Sequence, residues 1–466
     1  MRFFTPIGLA LSVSALALTG IAATASAETM SGALARAYGN NPDINQQRAA
    51  VRARDEGVPT AKAGWLPKAS GTLNAGHQYT EQSNVLGGAL GAGKQKYVAN
   101  PRGSSIQLSE TVFDGNRTFN NVRQAESGVL LARENLRQAE LQILQAGATA
   151  YMDVLRDTAV LNLRRANINV LQVQLQQTRD RFHVGEVTRT DVAQAESSLA
   201  GSKADYATAQ SNLETSIATY RRQIGVAPTQ LQPAQPIEKL LPHNLEAAIT
   251  TGLSEHPAIV GALHQVDMGV DAVKVAEGAL LPTASLVGQI QQSNDTSGYP
   301  RYDMWNASVV GQISVPIYQG GAEYAAVRQA KEQLGQARLA VDSQRIAIRQ
   351  SVATSWGQLQ AARAAIVAYQ AAVKAAEVAL NGVREEAKVG QRTTLDVLNA
   401  QQTLLNTRVQ LVTAQHDRVV ASYAVFGAIG RLSAEDLGLG VVAYQPGLHY
   451  DQTKNRFFGL DTPDGR

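Results

Sequence analysis

Two Thr-x-x-Asp stretches, Thr188 to Asp191 and Thr393 to Asp396, are the places where side chains of matched chemistry recur at fixed spacing. Each follows a glycine turn, Val184-Gly185-Glu186-Val187 or Val389-Gly390-Gln391-Arg392. A hydroxyl with a carboxylate three residues on is a capping box, with Asp here in place of the commoner Glu. Its two side chains satisfy the free N–H groups that open a helix, and such a cap contributes ~0.5–2 kcal/mol. That local role suffices for both Asp191 and Asp396, and it is the main role expected of Asp191. Gly88-Ala89-Leu90-Gly91-Ala92-Gly93-Lys94 spells most of a phosphate-binding loop, yet Gln95 stands where magnesium needs a hydroxyl. No strand–loop–helix context surrounds it, so the stretch reads as a loop between strands. The seven histidines show no ligand spacing, and the chain has no cysteine, so no metal site is expected. No Ser–His–Asp arrangement is suggested. Neither a catalytic centre nor a cofactor site is expected, and the chain is not read as an enzyme.

The elements that position the two Thr-x-x-Asp boxes come as a duplication. Pro42 and Pro67 stand 25 residues apart, as do Pro257 and Pro282. Beyond them an offset of 205 residues relates Phe113-Asp114-Gly115 to Tyr318-Gln319-Gly320, Val122-Arg123-Gln124-Ala125 to Val327-Arg328-Gln329-Ala330, and Ile224-Gly225 to Ile429-Gly430. One architectural unit is built twice. No proline occurs from Arg102 to Ala227 or from Ile317 to Gln445. Both windows are rich in helix-forming residues and broken once, at Gly185 and Gly390, each suited to a left-handed helix C′ position. Each window is therefore a helical hairpin with a tight turn. Val192, Leu199, Tyr206, Leu213 and Tyr220 recur every seven residues beside a small-residue row, Ala195, Ser202, Ala209 and Ser216. In the second copy Val397, Leu404, Leu411 and Val425 form the large row, with Arg418 interrupting. An arm of this length spans on the order of 100 Å at ~1.5 Å per residue.

Four segments of period two precede the hairpins. Ala69 to Thr80, Ile106 to Val112, Ala284 to Gln291 and Trp305 to Val315 alternate apolar with small polar residues. That is the signature of outer-membrane barrel strands, with Tyr79, Tyr97, Tyr299, Tyr302 and Trp305 placed for an aromatic girdle. The same pattern reads equally as two soluble hairpins packed on a helix. Four strands cannot close a barrel, for which about eight is the minimum, so a membrane role demands several copies of the chain.

Composition bounds the partners. The charge is nearly balanced, with 42 basic against 39 acidic residues, and no basic stripe interleaved with aromatics points to nucleic acid. Arg2, the apolar run Ile7 to Ile21 and Ala25-Ser26-Ala27 read as a secretory signal peptide cut after Ala27. Without cysteine there is no lipoprotein acceptor. The expected organisation is residues 1–27 signal peptide, 28–225 first repeat, 226–243 Pro-rich linker, 244–430 second repeat, and 431–466 a non-helical tail with a disordered end from Asp461.

From Asn41-Pro42 to Gly430 the chain resembles the TolC family of outer-membrane efflux and secretion channels. The motifs are Trp65-Leu66-Pro67 with Leu281-Pro282, Val112-Phe113-Asp114-Gly115 with Val315-Pro316-Ile317-Tyr318-Gln319-Gly320-Gly321, and the tips Arg181 to Gly185 and Val389 to Leu398. The resemblance implies a mainly α protein with a membrane β-barrel portion. Long antiparallel helical hairpins would form a periplasmic tunnel, and four strands per chain would contribute to a twelve-stranded barrel of a homotrimer. It implies as partners a periplasmic adaptor, an inner-membrane ABC or proton-driven transporter, and outer-membrane lipid. By the same resemblance Asp396 is a pore-constriction carboxylate, and Asn399 stands where a second is expected. Arg392 and Asp191 match a tip clamp, whereas the clamp tyrosine position is Ala387. The Val315–Gly321 stretch and the missing acceptor cysteine resemble the type I secretion branch, so protein export is favoured, with small-molecule efflux beside it. A periplasmic coiled-coil scaffold or adaptor without a pore is the reading from another class.

Overall fold

A computed structural model describes residues 28–83, 94–296 and 303–463. The signal-peptide reading, the loop from Gly88 to Gly93, Tyr299, Tyr302 and residues 464–466 lie outside them. Three short helices, α1 (Met30–Asn40), α2 (Pro42–Asp55) and α3 (Gly57–Lys62), lead into β1 (Lys68–Ala75), β2 (Gln78–Ser83), β3 (Lys94–Ala99) and β4 (Arg102–Phe113). A long hairpin follows, α4 (Arg117–His183) and α5 (Arg189–Ile224). The second passage runs α6 (Leu245–Glu255), α7 (Pro257–Gly278), β5 (Thr283–Asn294), β6 (Asp303–Ser314), α8 (Ala322–Lys388) and α9 (Thr394–Ala428), and α10 (Pro446–Thr453) follows.

The duplication is exact in the long arms. Helices α4 and α8 each hold 67 residues, and both their ends are displaced by the 205 residues read from the sequence. At ~1.5 Å per residue each is about 100 Å long. No helix among the described residues is long and apolar enough to cross a membrane. In the first hairpin the small row faces inward, because Ala195, Ser202, Ala209 and Ser216 are buried on α5. Small side chains let α4 and α5 approach closely. Of the large row only Tyr220 is buried among α5's core positions.

Four strands form one antiparallel sheet in the order β1-β4-β5-β6, so the two repeats meet at β4 and β5. Register sorts the side chains into two faces. Gly71, Ile106, Ile290 and Ala307 lie in one row, and Ala69, Leu108, Gly288 and Val309 in the next. The opposite face carries Ser70, Gln107, Gln289 and Ser308, then Thr72, Ser105, Gln291 and Asn306. A register shift between Thr111 and Phe113 brings Phe113 opposite Ala284 on the apolar face. Nothing among the described residues covers that face: Leu73 is 86% exposed and Val309 76%.

The sequence reading needs two corrections. The segment Ala69 to Thr80 is not one strand. It divides at Gly76-His77, and β2 and β3 form a separate two-stranded hairpin. Pro101, which has no N–H to give to a ladder, interrupts the partner strand, and its carbonyl accepts from Gly76 N at 2.9 Å. Tyr79 and Tyr97 therefore sit on this hairpin, beyond the four-stranded sheet. The tail is not wholly irregular either. Pro446 starts α10, and His449 Nδ1 lies 2.8 Å from Asp55 Oδ2 of α2, with both residues buried.

The main core sits where the short helices meet the middle of the arms, and it includes Leu34, Ile44, Leu144, Tyr151, Tyr220, Phe426 and Leu432. Tyr151 shares its hydroxyl proton between Glu28 O at 2.8 Å and Gln232 O at 2.7 Å, which fastens the start of the described chain and the linker to α4. Burial pushes that hydroxyl's pKa up to about 12.

Candidate functional site: the hairpin tips

Both tips are built by the same local chemistry. Helix α4 stops where Gly185 takes φ +80° and Glu186 N bonds back to Arg181 O at 2.9 Å. Helix α8 stops where Gly390 takes φ +78° and Gln391 N bonds to Glu386 O at 2.9 Å. This six-to-one closure around a left-handed residue is why glycine is required at both positions. The capping boxes then open α5 and α9. Thr188 N and Oγ1 donate to Asp191 Oδ2 at 2.9 and 2.7 Å, and Asp191 N donates to Thr188 Oγ1 at 3.3 Å. Thr393 N and Oγ1 donate to Asp396 Oδ2 at 3.0 and 2.9 Å, with Asp396 N to Thr393 Oγ1 at 3.2 Å.

These bonds hold both carboxyls ionised. The Thr188 hydroxyl and amide, with Arg181 adding its field, keep the Asp191 pKa below the usual carboxylate range. The Thr393 amide and hydroxyl, helped by Arg392, do the same for Asp396. Capping therefore acts against the upward shift that neighbouring carboxylates would impose.

Within the chain, Arg392 Nε donates to Glu386 Oε2 at 2.8 Å, and Asp191 is engaged in its own cap. The sequence-matched clamp partners are thus each occupied inside their own hairpin. The first tip has a local pair of its own, Arg181 Nε to Glu186 Oε2 at 2.9 Å. Arg181 and Glu386 are equivalent positions of opposite charge, but their partners are not equivalent, since Gln391 matches Glu186 and Val187 matches Arg392. Asn399 is exposed on α9, one turn from Asp396, and its carbonyl accepts from Thr403 Oγ1 at 2.9 Å.

Sequence reasoning missed what joins the two hairpins. Leu398 of α9 packs into a buried cluster with Leu171, Leu175 and Ala195 of the first hairpin. Gln401 Nε2 reaches Asn167 Oδ1 at 3.4 Å, and Asn167 Nδ2 donates to the buried Ser202 Oγ at 3.1 Å. Higher on the arms, Glu238 of the linker accepts from Arg418 Nε at 2.8 Å and from Arg363 Nε at 3.1 Å. The interruption of the heptad row at Arg418 was the signal for that contact. Among the described residues no group of His, Asp and Glu could hold a metal ion.

Comparison with known proteins accords with this architecture. The family model for outer membrane efflux protein matches residues 33–226 and 248–431. Outer membrane efflux protein BepC of Brucella suis is 42% identical over 461 residues, covering 99% of this chain and 97% of the relative. Alkaline protease secretion protein AprF of Pseudomonas aeruginosa is 25% identical over 385 residues, covering 81% and 79%. The crystal structure of the Campylobacter jejuni CmeC outer membrane channel superposes with a TM-score of 0.74 at 17% identity, covering 91% of this chain and 89% of that one, a likeness of fold. This chain belongs to the TolC-type outer membrane efflux protein family, and with that family it is a transport channel of the outer membrane that extends into the periplasm.

Proposed function

We propose that the chain works as a homotrimer, a passive exit duct in which cargo delivered by an inner-membrane transporter and a periplasmic adaptor passes through tunnel and barrel. The observation that carries this reading is the four-stranded sheet. Among the described residues both of its edges, β1 and β6, are unpaired, and β1 is exposed along its whole length on both faces. An open edge beside an uncovered apolar face is unstable in water. Pairing β6 of one copy with β1 of the next removes both edges, and lipid covers the apolar rows.

In this reading the signal peptide is removed after Ala27, and residues 226–243 and 431–466 form a belt around the tunnel. The tips at Gly185 and Gly390 form the iris, with Asp396 and Asn399 at the constriction and Arg392 with Asp191 as its clamp. The energy for transport comes from the partner. Cargo is weighed by two relatives: the higher identity is to a protein named for efflux, the lower to one named for protease secretion. That moves the weight from the protein export favoured by the Val315–Gly321 stretch toward efflux.

The experiment is a cysteine pair across the proposed seam, Thr72→Cys on β1 with Ser308→Cys on β6, in full-length protein extracted from outer membranes. Oxidation should give a covalent trimer. A chain that stays monomeric in detergent and washes from membranes with buffer would favour the scaffold reading. Loss of a secreted protein against loss of small-molecule resistance, in a strain lacking the gene, separates the two cargoes.

A further inference from the structure

The polar face of the sheet is almost free of charge. By register it carries Ser, Thr, Asn and Gln on all four strands, with Val287 opposite Val310 and Met304 near its outer end. The other ionic residues of these strands fall on the opposite face: Glu110 pairs with Leu286, and Arg102 shares a row with Asn294 and Asp303. One ionic side chain belongs to the polar face, Lys68 at the start of β1, opposite Ser109. It is exposed, opens the strand directly after Pro67, and has no ion pair among the described residues.

We propose that Lys68 is a selectivity-determining residue of the channel, forming a positive ring at the periplasmic mouth of an otherwise neutral barrel. The proposal rests on the trimeric reading above, in which the apolar face meets lipid and the polar face lines the lumen. Amides and hydroxyls offer hydrogen bonds without discriminating by sign, so an uncompensated ammonium dominates the field of that wall. Three such groups around one axis attract anions and repel cations. The favoured passenger at this level is an anionic solute, or the acidic stretch of a polypeptide. The sign is opposite to that of the carboxylate proposed at the tunnel tip, so the duct has two filters of opposite charge in series.

The test is reversal-potential measurement on full-length trimers in planar bilayers under a KCl gradient. Lys68→Gln should raise the cation-to-anion permeability ratio by about twofold, and Lys68→Glu should raise it further. Lys68→Arg should keep the original ratio, and Ser70→Lys, on the same face, should lower it. The differences should collapse near 1 M salt, where the screening length is about 3 Å. Wild-type trimers that conduct, with a ratio untouched by Lys68→Gln, overturn this proposal alone. A wild-type chain that forms no channel overturns it together with the trimeric reading. A lysine on an open edge strand also guards against aggregation. A Lys68→Gln protein that aggregates, while its remaining trimers keep the wild-type ratio, assigns the residue to that role and overturns the proposal.

Discussion

His416 Nε2 on α9 lies 3.0 Å from Asp153 Oδ1 on α4, a direct bond between the second repeat and the first. The other ring nitrogen, Nδ1, lies 2.9 Å from Asp417 Oδ1. Ionised carboxylates only accept, and a neutral imidazole has a single N–H, so this geometry calls for the imidazolium. The ring is buried, and Asp153 also pairs with Arg156 at 2.8 Å. Arg156 in turn reaches Asp157, which accepts from Ser216 of α5. One charged network thus ties three long helices together. The repeat does not supply it twice, since Gln358 and Ser211 occupy the equivalent positions.

Stability should therefore fall as pH rises above neutrality. Burial opposes the charge on His416, but the bonds to Asp153 and Asp417 outweigh it and raise the pKa above its ordinary 6.5. A raised pKa in the folded state means stabilisation that is complete below the unfolded value and lost as pH climbs through the folded one. Melting of the purified protein between about pH 6 and about pH 9 should show a decline worth about 1–3 kcal/mol. His416→Gln should flatten it. An equal decline in the variant removes the histidine from the explanation.

Glu238→Gln should loosen the linker from the second hairpin. Hydrogen bonding from Arg418 is the main cause that holds Glu238 at a pKa of about 2, with Arg363 adding to it. A depressed pKa gives stability that is present above the unfolded value of about 4.5 and lost as pH falls toward 2. The arginine side chains are 37% and 38% exposed, so each pair contributes below about 1 kcal/mol. The sharper readout is amide exchange at Ile237 to Leu240, which should accelerate in the variant. Exchange as slow as in wild type would show that Ile237 N, bonded to Ser422 Oγ at 3.2 Å, and its neighbours need no help from the ion pairs.

What the sequence made legible was whatever repeats. The 205-residue offset, the two glycine turns, the two capping boxes and the buried small row of α5 are periodic or duplicated, and local backbone chemistry explains each. The contacts that join the copies left little trace, because Asp153 and His416, or Glu238, Arg363 and Arg418, are far apart in sequence and occur once. The strand break at Gly76 was hidden for a related reason. Alternation continues through His77 and Tyr79, and the cause of the break lies across the hairpin at Pro101. At the tips the caps were legible, but the partner of Arg392 was not, since Glu386 follows no repeated pattern and its first-repeat equivalent is Arg181.

Asp396→Asn should lower cation selectivity in bilayer recordings. Asparagine retains a side-chain oxygen for capping, so the variant removes charge while largely keeping the start of α9. Glu186→Gln is the control, because it removes a carboxylate at the first tip that pairs with Arg181 and belongs to neither ring nor clamp. Selectivity that shifts with Asp396→Asn and holds with Glu186→Gln assigns the constriction to α9. No change with Asp396→Asn leaves Asp396 as a helix cap.

Arg392→Ser should raise conductance, and Glu386→Gln should lower it. In the single chain Arg392 is held by Glu386, with the two side chains 51% and 46% exposed. A solvated pair of this kind is weak, so the arginine can exchange it for a carboxylate on the neighbouring hairpin. Asp191 suits that exchange because its capping bonds from Thr188 both fall on Oδ2. Removing the arginine would abolish the proposed clamp. Neutralising Glu386 removes the competitor and favours the closed arrangement. Opposite changes in single-channel current from the two variants are the expected result, with unaltered melting in both. Equal currents in wild type and Arg392→Ser would leave Arg392 as nothing more than the local partner of Glu386.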